Sequence, residues 1–185
     1  MESKSIREKI IDVASDFFYK KGYNKTKISE ITKEAGITKE TLCKYFKTKE
    51  DICISYLRFR NEKFSKEVLS YVEQADEGKS KILAIFNYLE LFYQMENFDG
   101  CWAIKIFSEV SFDQEHIRNE IALQKRGMIG FIEFLIQENI NIDKDSKVLA
   151  RNIYLLLETA VVQSNVLKEE WPITNAKAMC EKLLN

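Results

Sequence analysis

Proline and glycine are scarce in this chain of 185 residues, which contains one Pro and six Gly. An all-β protein of this size needs many tight turns, and Gly and Pro are the residues that form them. Hydrophobic residues make up 45% of the chain and charged residues 31%, which is ordinary for a globular protein. We therefore expect a folded, all-α protein built from long helices with few connections.

Several chemical motifs are also missing. His116 is the sole histidine, and the sequence has no Gly-rich phosphate loop, no G-x-S-x-G and no H-E-x-x-H. The four cysteines lie far apart with no C-x-x-C pair, which is not the spacing of metal ligands. We expect no catalytic residue, no metal and no cofactor, and therefore a protein that is not an enzyme.

Long apolar runs are absent too. Charged residues interrupt the first 18 residues, so we expect neither a signal peptide nor a membrane span there. No other segment approaches about 18 apolar residues without a charge. Cysteines in a chain without an export signal are expected to stay reduced. These features predict a cytoplasmic protein with free thiols and no membrane partner.

Positive charge is concentrated near the amino terminus. Between Lys20 and Lys49 nine lysines stand against three glutamates, so this segment carries +6, whereas the whole chain carries −1. A basic block on an otherwise acidic protein favours a local contact with a polyanion. Charge alone is equally compatible with a solvated, lysine-rich pair of helices.

Apolar residues recur at helical spacing along the chain. The pattern predicts a first helix that ends at Gly22 and further helices at about 28–34, 38–44, 48–72, 82–95, 101–110, 115–139, 143–168 and 172–184. Thr48 and Asp51 have the spacing of a capping box, and Pro172 suits the first turn of the last helix. The prediction is about nine helices and no strand.

Residues 28–46 are the most informative segment. Two short predicted helices flank a turn at Gly36, which can adopt the left-handed conformation that such a turn needs. Ile31, Ala35 and Leu42 are spaced to pack the two helices together, and Thr38 stands where an N-cap hydroxyl belongs. The pattern predicts a helix-turn-helix motif, although a helical hairpin with no DNA-binding role has the same apolar spacing.

The segment from Arg7 to Ile52, about a quarter of the chain, resembles the TetR/AcrR family of transcriptional regulators. The resemblance rests on fixed spacings of Ile10, Ala14, Gly22-Tyr23, Thr26, Ile28, Ile31, Ala35-Gly36-Ile37, Thr41-Leu42, Tyr45-Phe46 and Lys49-Glu50. It implies an all-α homodimer. It also implies a three-helix DNA-binding domain, assigned here to residues 1–47, packed on a larger helical domain for effector binding and dimerisation at residues 48–185.

The resemblance also implies which residues contact DNA. The matching positions are Thr26, Lys27, Thr38, Lys39, Thr41, Lys44, Tyr45 and Lys49. Glu40, on the second helix of the motif, is a further candidate. Cys43 departs from the family pattern because a phosphate-contacting Tyr is usual there, and Tyr45 is the alternative phosphate contact. Glu40 stands where a small residue is common, and it can either accept from cytosine N4 or repel a phosphate.

Aromatic residues are abundant in the rest of the chain and suggest an apolar effector pocket. The candidate lining residues are Phe86, Phe92, Tyr93, Cys101, Trp102, Lys105, Phe131, Phe134 and Tyr154. For any one aromatic residue among them, a place in the ordinary core is the simpler interpretation.

Residues 100–118 resemble a branch of the family in which Gly-Cys opens the sixth helix and some members sense oxidants or electrophiles through that cysteine. The helix dipole at Cys101 and a positive charge from Lys105 one turn later both favour a thiolate. A structural cysteine buried beside Trp102 is the alternative.

The last two long helices carry more apolar surface than one neighbour needs, which predicts an intermolecular four-helix bundle rather than packing within one chain alone. The candidate dimer residues are Leu156, Ala160, Val161, Leu167, Met179 and Leu183. A dimer suits DNA reading because two recognition helices must reach successive major grooves about 34–36 Å apart.

These features together predict a repressor that binds a near-palindromic, double-stranded operator as a homodimer. A small apolar or electrophilic effector is expected to release it. Two other functions remain open: a DNA-binding regulator that responds to no ligand, and a helical scaffold or enzyme that has lost DNA binding.

Overall fold

A computed structural model describes residues 5–96, 98–141 and 145–185, and these residues form helices and connections without any strand. The nine helices within them are α1 (Ile6–Lys21), α2 (Ile28–Ala35), α3 (Lys39–Tyr45), α4 (Lys49–Gln74), α5 (Lys79–Gln94), α6 (Trp102–Glu109), α7 (Glu115–Asn139), α8 (Ser146–Leu167) and α9 (Trp171–Leu183). The predicted all-α fold is confirmed. Across the described ranges, no helix combines the length and the apolar character needed to cross a membrane.

The chain divides into two compact units. The first contains the chain up to Lys63 together with Trp102–Leu123, and the second contains Phe64–Cys101 and Gln124–Asn185. The long helices α4 and α7 therefore contribute to both units. The functional boundary predicted between residues 47 and 48 lies inside the first unit and stays a prediction.

The first unit is built around buried side chains of α1 to α4. Phe18 of α1 is fully buried, and its ring centroid lies 5.6 Å from that of Tyr23 and 5.5 Å from that of Tyr56. At the start of α1, the Ser5 hydroxyl accepts from the Glu8 N–H and the Glu8 carboxylate accepts from the Ser5 N–H. This capping box satisfies donors that the first turn of a helix leaves without partners.

The second unit packs α9 against α5 and α8. Ile82 and Phe86 of α5, Ile153 of α8 and Ile173 of α9 are fully buried. Aromatic rings extend this core towards the carboxyl-terminal part of α4, where the Phe64 ring centroid lies 5.3 Å from that of Tyr88. Edge-to-face packing of this kind adds about 0.5–1.5 kcal/mol per pair beyond burial of apolar area.

The observed helix starts follow local capping chemistry. The Asp51 carboxylate accepts from the Thr48 N–H at 2.9 Å and the Thr48 hydroxyl accepts from the Asp51 N–H at 3.1 Å, which confirms the predicted cap of α4. Pro172 occupies the first turn of α9, as predicted. Asp145 caps α8 by accepting from the N–H groups of residues 147 and 148. The predicted start of that helix at residue 143 lies outside the described residues.

Candidate DNA-binding surface and effector site

Helices α2 and α3 form the predicted helix-turn-helix. Gly36, between them, has the left-handed conformation (φ 62°, ψ 38°) that glycine adopts without strain. The N–H of Ile37 donates to the carbonyl of Thr32 at 3.0 Å and closes the turn. Ala35 and Leu42 are fully buried, as packing of the two helices requires.

The start of α3 is held by its N-cap. The Thr38 hydroxyl accepts from the Thr41 N–H at 3.2 Å, and the two threonine hydroxyls lie 3.2 Å apart. With Leu42 facing inwards, α3 presents five exposed side chains that we call the recognition surface: Lys39, Glu40, Cys43, Lys44 and Tyr45. This mixture of donors, an acceptor and an aromatic ring suits contacts to phosphates and base edges.

Glu40 lies in the first turn of α3 and is exposed. Hydrogen bonds from its own N–H and from the Thr38 side chain, together with the nearby Lys39 charge, hold the pKa of Glu40 below its ordinary value. A carboxylate at this end of a helix is favoured by the dipole. The DNA contact predicted for Glu40 stays a prediction.

Two of the predicted DNA contacts are turned inwards. Thr26 is only 1% exposed, and its hydroxyl donates to the Gly22 carbonyl at 2.7 Å. The Lys49 ammonium lies 4.4 Å from the Tyr23 ring centroid and donates to the Asn24 carbonyl at 3.4 Å. Burial lowers the pKa of Lys49. DNA contacts by these two side chains stay predictions. Lys27, directly before α2, is exposed, and its DNA contact stays a prediction as well.

Helix α6 is attached to the loop between α1 and α2, within the first unit. The Glu109 carboxylate accepts from the Asn24 N–H at 2.7 Å, and the Asn24 amide donates to the Glu109 carbonyl at 2.9 Å. The same carboxylate occupies the space where a side chain on Gly22 would lie. We call these contacts the α6 clasp. They explain why a glycine with φ 88° ends α1.

Lys105 belongs to this attachment as well. Its ammonium donates to the Tyr19 carbonyl at 2.7 Å and lies 4.8 Å from the Tyr19 ring centroid. The ammonium that meets the sulfur of Cys101 is that of Lys125, at 3.3 Å, so the expectation that Lys105 supplies this charge is corrected. Lys125 is on α7, 24 residues from Cys101, and no local pattern could have identified it.

Cys101 lies directly before α6, half-buried in the second unit. Lys125 also forms an ion pair with Glu158 at 2.6 Å. Burial alone would lower the pKa of Lys125, but the acidic groups of Cys101 and Glu158 raise it above its ordinary value. Burial raises the pKa of Tyr154 beside them. The thiol therefore faces a cation that stays protonated near neutral pH.

The remaining predicted effector residues are divided between the two units. Trp102 and Lys105 belong to the first unit, and the others belong to the second. Phe86 is fully buried and Phe92 is 8% exposed, which agrees with the simpler interpretation of these two as core residues. Phe134 is 54% exposed, and Tyr93, Phe131 and Tyr154 are half-buried. No group of three or more His, Cys, Asp or Glu side chains suited to a metal occurs in the described parts of the chain.

The predicted dimer residues also differ in exposure. Ala160 and Val161 are buried within the second unit, Leu156 and Leu183 are half-buried, and Leu167 and Met179 are exposed. The most exposed apolar side chains of α8 are instead Leu155, at 61%, and Val166, at 68%. These two are eleven residues apart and share one helix face, because 11 residues complete about three turns. The predicted dimer residues therefore stay predictions, and Leu155 and Val166 join them as exposed candidates on the same helix.

Comparison with known proteins gives the family. Residues 10–55 match the model of the tetR family of bacterial regulatory proteins. The fatty acid metabolism regulator protein of Bacillus subtilis is 27% identical over 71% of this chain and 66% of its own length. The transcriptional repressor NemR of Escherichia coli is 25% identical over 96% of this chain and 93% of its own length. These relatives are regulators and not enzymes, as predicted.

Solved structures share the whole fold. A TetR-family transcriptional regulator from Streptomyces coelicolor superposes with a TM-score of 0.87 at 18% identity, and the match covers 97% of this chain and 94% of that one. The reduced form of E. coli NemR gives 0.86 at 20% identity and covers 98% of both chains. With the capped recognition helix and the family match on the same residues, the chain belongs to the TetR/AcrR family of DNA-binding transcriptional regulators.

Proposed function

We propose that the protein is a homodimeric repressor that binds a near-palindromic operator and is released by a small effector. The recognition surface carries this proposal, because a fixed N-cap and a buried Leu42 leave lysines and a tyrosine exposed along one short helix. Such a helix presents its amino-terminal residues to base edges in the major groove. Acting on operator DNA requires the cytoplasmic location that the sequence predicts.

The exposed side of α8 and α9 supports a two-fold dimer. Leu155 and Val166 on α8, with Trp171 and Met179 on α9, each leave between 46% and 68% of the residue exposed. Pairing this surface with its copy would bury it in a four-helix bundle. The same symmetry would set two recognition helices at the spacing of successive major grooves, about 34–36 Å.

We further propose that Cys101 is the residue through which an oxidant or electrophile acts. Cys101 is covalently continuous with α6, and α6 holds the loop before the helix-turn-helix through Lys105 and Glu109. A modification at Cys101 that displaces α6 would therefore disturb the loop that positions α2 and α3. Effector coupling of about 1–3 kcal/mol is enough to change operator affinity roughly 5- to 150-fold.

Salt-dependent binding tests the DNA contacts. Lys39→Ala and Lys44→Ala are each expected to weaken operator binding and to reduce the slope of log affinity against log salt by about 1, since each removes one phosphate contact. Lys66→Ala, an exposed lysine of α4 outside the recognition surface, is the matched control. Fluorescence anisotropy at several salt concentrations measures all three. Unchanged slopes in the first two variants would reject the assigned contacts.

Oxidant release tests the sensing role. Cys101→Ser is expected to bind DNA with wild-type affinity and to stay bound when a mild thiol oxidant is added. Cys43→Ser is the control because Cys43 is exposed on the recognition surface itself. Release from Cys101→Ser but not from Cys43→Ser would transfer the sensing role to the recognition helix.

A further inference from the structure

A polar cluster surrounds the sulfur of Cys101 in the second unit. The Lys125 ammonium lies 3.3 Å from Cys101 Sγ and 2.6 Å from Glu158 Oε1. Tyr154 lies one helical turn before Glu158 on α8, and burial raises its pKa. The Lys125 and Glu158 side chains are 21% and 22% exposed, so part of each remains open to solvent.

The hydrogen-bonding capacity of Lys125 is only partly used. An ammonium group carries three N–H donors and no acceptor. Among the described residues, one donor serves the Glu158 carboxylate and one serves the Cys101 sulfur. One N–H remains for an oxygen that arrives beside the thiol. Glu158 holds the ammonium in place, because a short, mostly buried ion pair has few other arrangements open to it.

We propose that Lys125 is a positioning residue that directs electrophiles carrying a carboxylate next to the reacting carbon onto Cys101. This inference rests on the proposed sensing role of Cys101 and adds the chemical class of the effector. The oxygen accepts from Lys125 while the carbon beside it faces the sulfur. Uncharged reagents lack the attraction between the carboxylate and the ammonium.

Two haloacetyl reagents isolate the effect of charge. With iodoacetate or iodoacetamide, the Cys101 thiolate attacks the methylene carbon, a C–S bond forms, and iodide leaves with the electron pair of the C–I bond. The thiol proton goes to solvent, and no oxidant is involved. Both reagents react in the same way, but only iodoacetate carries a negative charge to meet Lys125.

The experiment measures alkylation of Cys101 at neutral pH by peptide mass spectrometry, in the full chain without DNA. We expect Lys125→Met to lower the ratio of iodoacetate to iodoacetamide rates about fivefold, the effect of one unit charge about 4 Å away in water. Lys125→Arg retains the charge and should keep the ratio within about twofold. Lys177→Met, which breaks the ion pair of Lys177 with Glu90 in the same unit, should leave it unchanged.

Internal references come from the other cysteines. Exposed Cys43 should keep its own ratio in every variant, and buried Cys53 and Cys180 report any loss of fold by becoming reactive. If Lys125→Met loosens the fold, Lys125→Gln provides the same comparison with a side chain that can still donate to Glu158. A wild-type ratio at Cys101 in a folded Met or Gln variant overturns the proposal.

The two proposals about Cys101 fail separately. Retained oxidant release in Cys101→Ser would remove the sensing role, and the alkylation ratio would still establish whether Lys125 attracts anionic reagents. An unchanged alkylation ratio would remove the role of Lys125 and leave the release experiment as it stands.

Discussion

Replacement of Gly22 by alanine tests the α6 clasp. Gly22 has φ 88° and ψ 164°, and Gly78 has φ 83° and ψ −145°. Both conformations are almost exclusive to glycine, so alanine costs about 1–3 kcal/mol at either position. The two sites differ in their surroundings: a new Cβ at Gly22 meets the Glu109 carboxylate, whereas no atom lies within 4 Å of one at Gly78.

The difference between the two variants measures the clasp. To admit the methyl group at Gly22, the Glu109 carboxylate must leave the Asn24 N–H that it accepts from at 2.7 Å. A hydrogen bond to a charged group contributes about 1.5–3 kcal/mol. We therefore expect Gly22→Ala to lower the free energy of unfolding by about 1.5–3 kcal/mol more than Gly78→Ala does.

Urea unfolding followed by circular dichroism, at one protein concentration, gives these free energies. In a Glu109→Ala background the carboxylate is already gone, so Gly22→Ala should then cost no more than Gly78→Ala. Equal destabilisation by Gly22→Ala and Gly78→Ala in the wild-type background would show that Glu109 does not hold the loop, and the proposed route from α6 to the helix-turn-helix would fail.

Three further predictions follow from single contacts. Thr38→Ala removes the N-cap of α3 and should lower the free energy of unfolding by about 1 kcal/mol. It should also weaken operator binding in anisotropy titrations, while Thr38→Ser should retain both stability and binding. Leu155→Glu should dissociate the dimer in sedimentation experiments, whereas Leu91→Glu, an exposed site on α5, should not. Burial raises the pKa of Cys180 from 9.0 to about 12, so the unfolded chain loses that proton first and stability falls as pH rises between these values. Cys180→Ala should lessen this fall, by up to about 1.4 kcal/mol per pH unit, in urea unfolding at about pH 8.5 and about pH 10.5.

Most of the fold could be predicted because its signals are local. Thr48 with Asp51, Gly36 and Pro172 each fix a helix boundary through chemistry within a few residues. Helix α5 begins at Lys79, three residues before Ile82, where the apolar pattern predicts its start. The pattern missed these residues because the first turn after Gly78 is polar. Apolar periodicity identifies the buried face of a helix and not where its first turn lies.

The functional sites were predictable only in part. The recognition surface follows from short-range packing around Leu42, and the sequence contains that information. Thr26 and Lys49 match the family pattern. The burial of the Thr26 hydroxyl and the position of the Lys49 ammonium over the Tyr23 ring depend on tertiary contacts, which the pattern does not encode. The contact between Cys101 and Lys125 forms within the folded second unit, between residues 24 apart in the chain, and no spacing around Cys101 encodes it.

Selection of binding sites from a random-sequence DNA duplex library tests the central claim most directly. The account predicts enrichment of one near-palindrome whose half-sites are centred about 10–10.5 bp apart or a multiple of this, and loss of that enrichment in Lys39→Ala and Lys44→Ala. Absence of any enriched sequence, or an enriched single half-site that both variants still select, would contradict a dimeric repressor that reads DNA through α3.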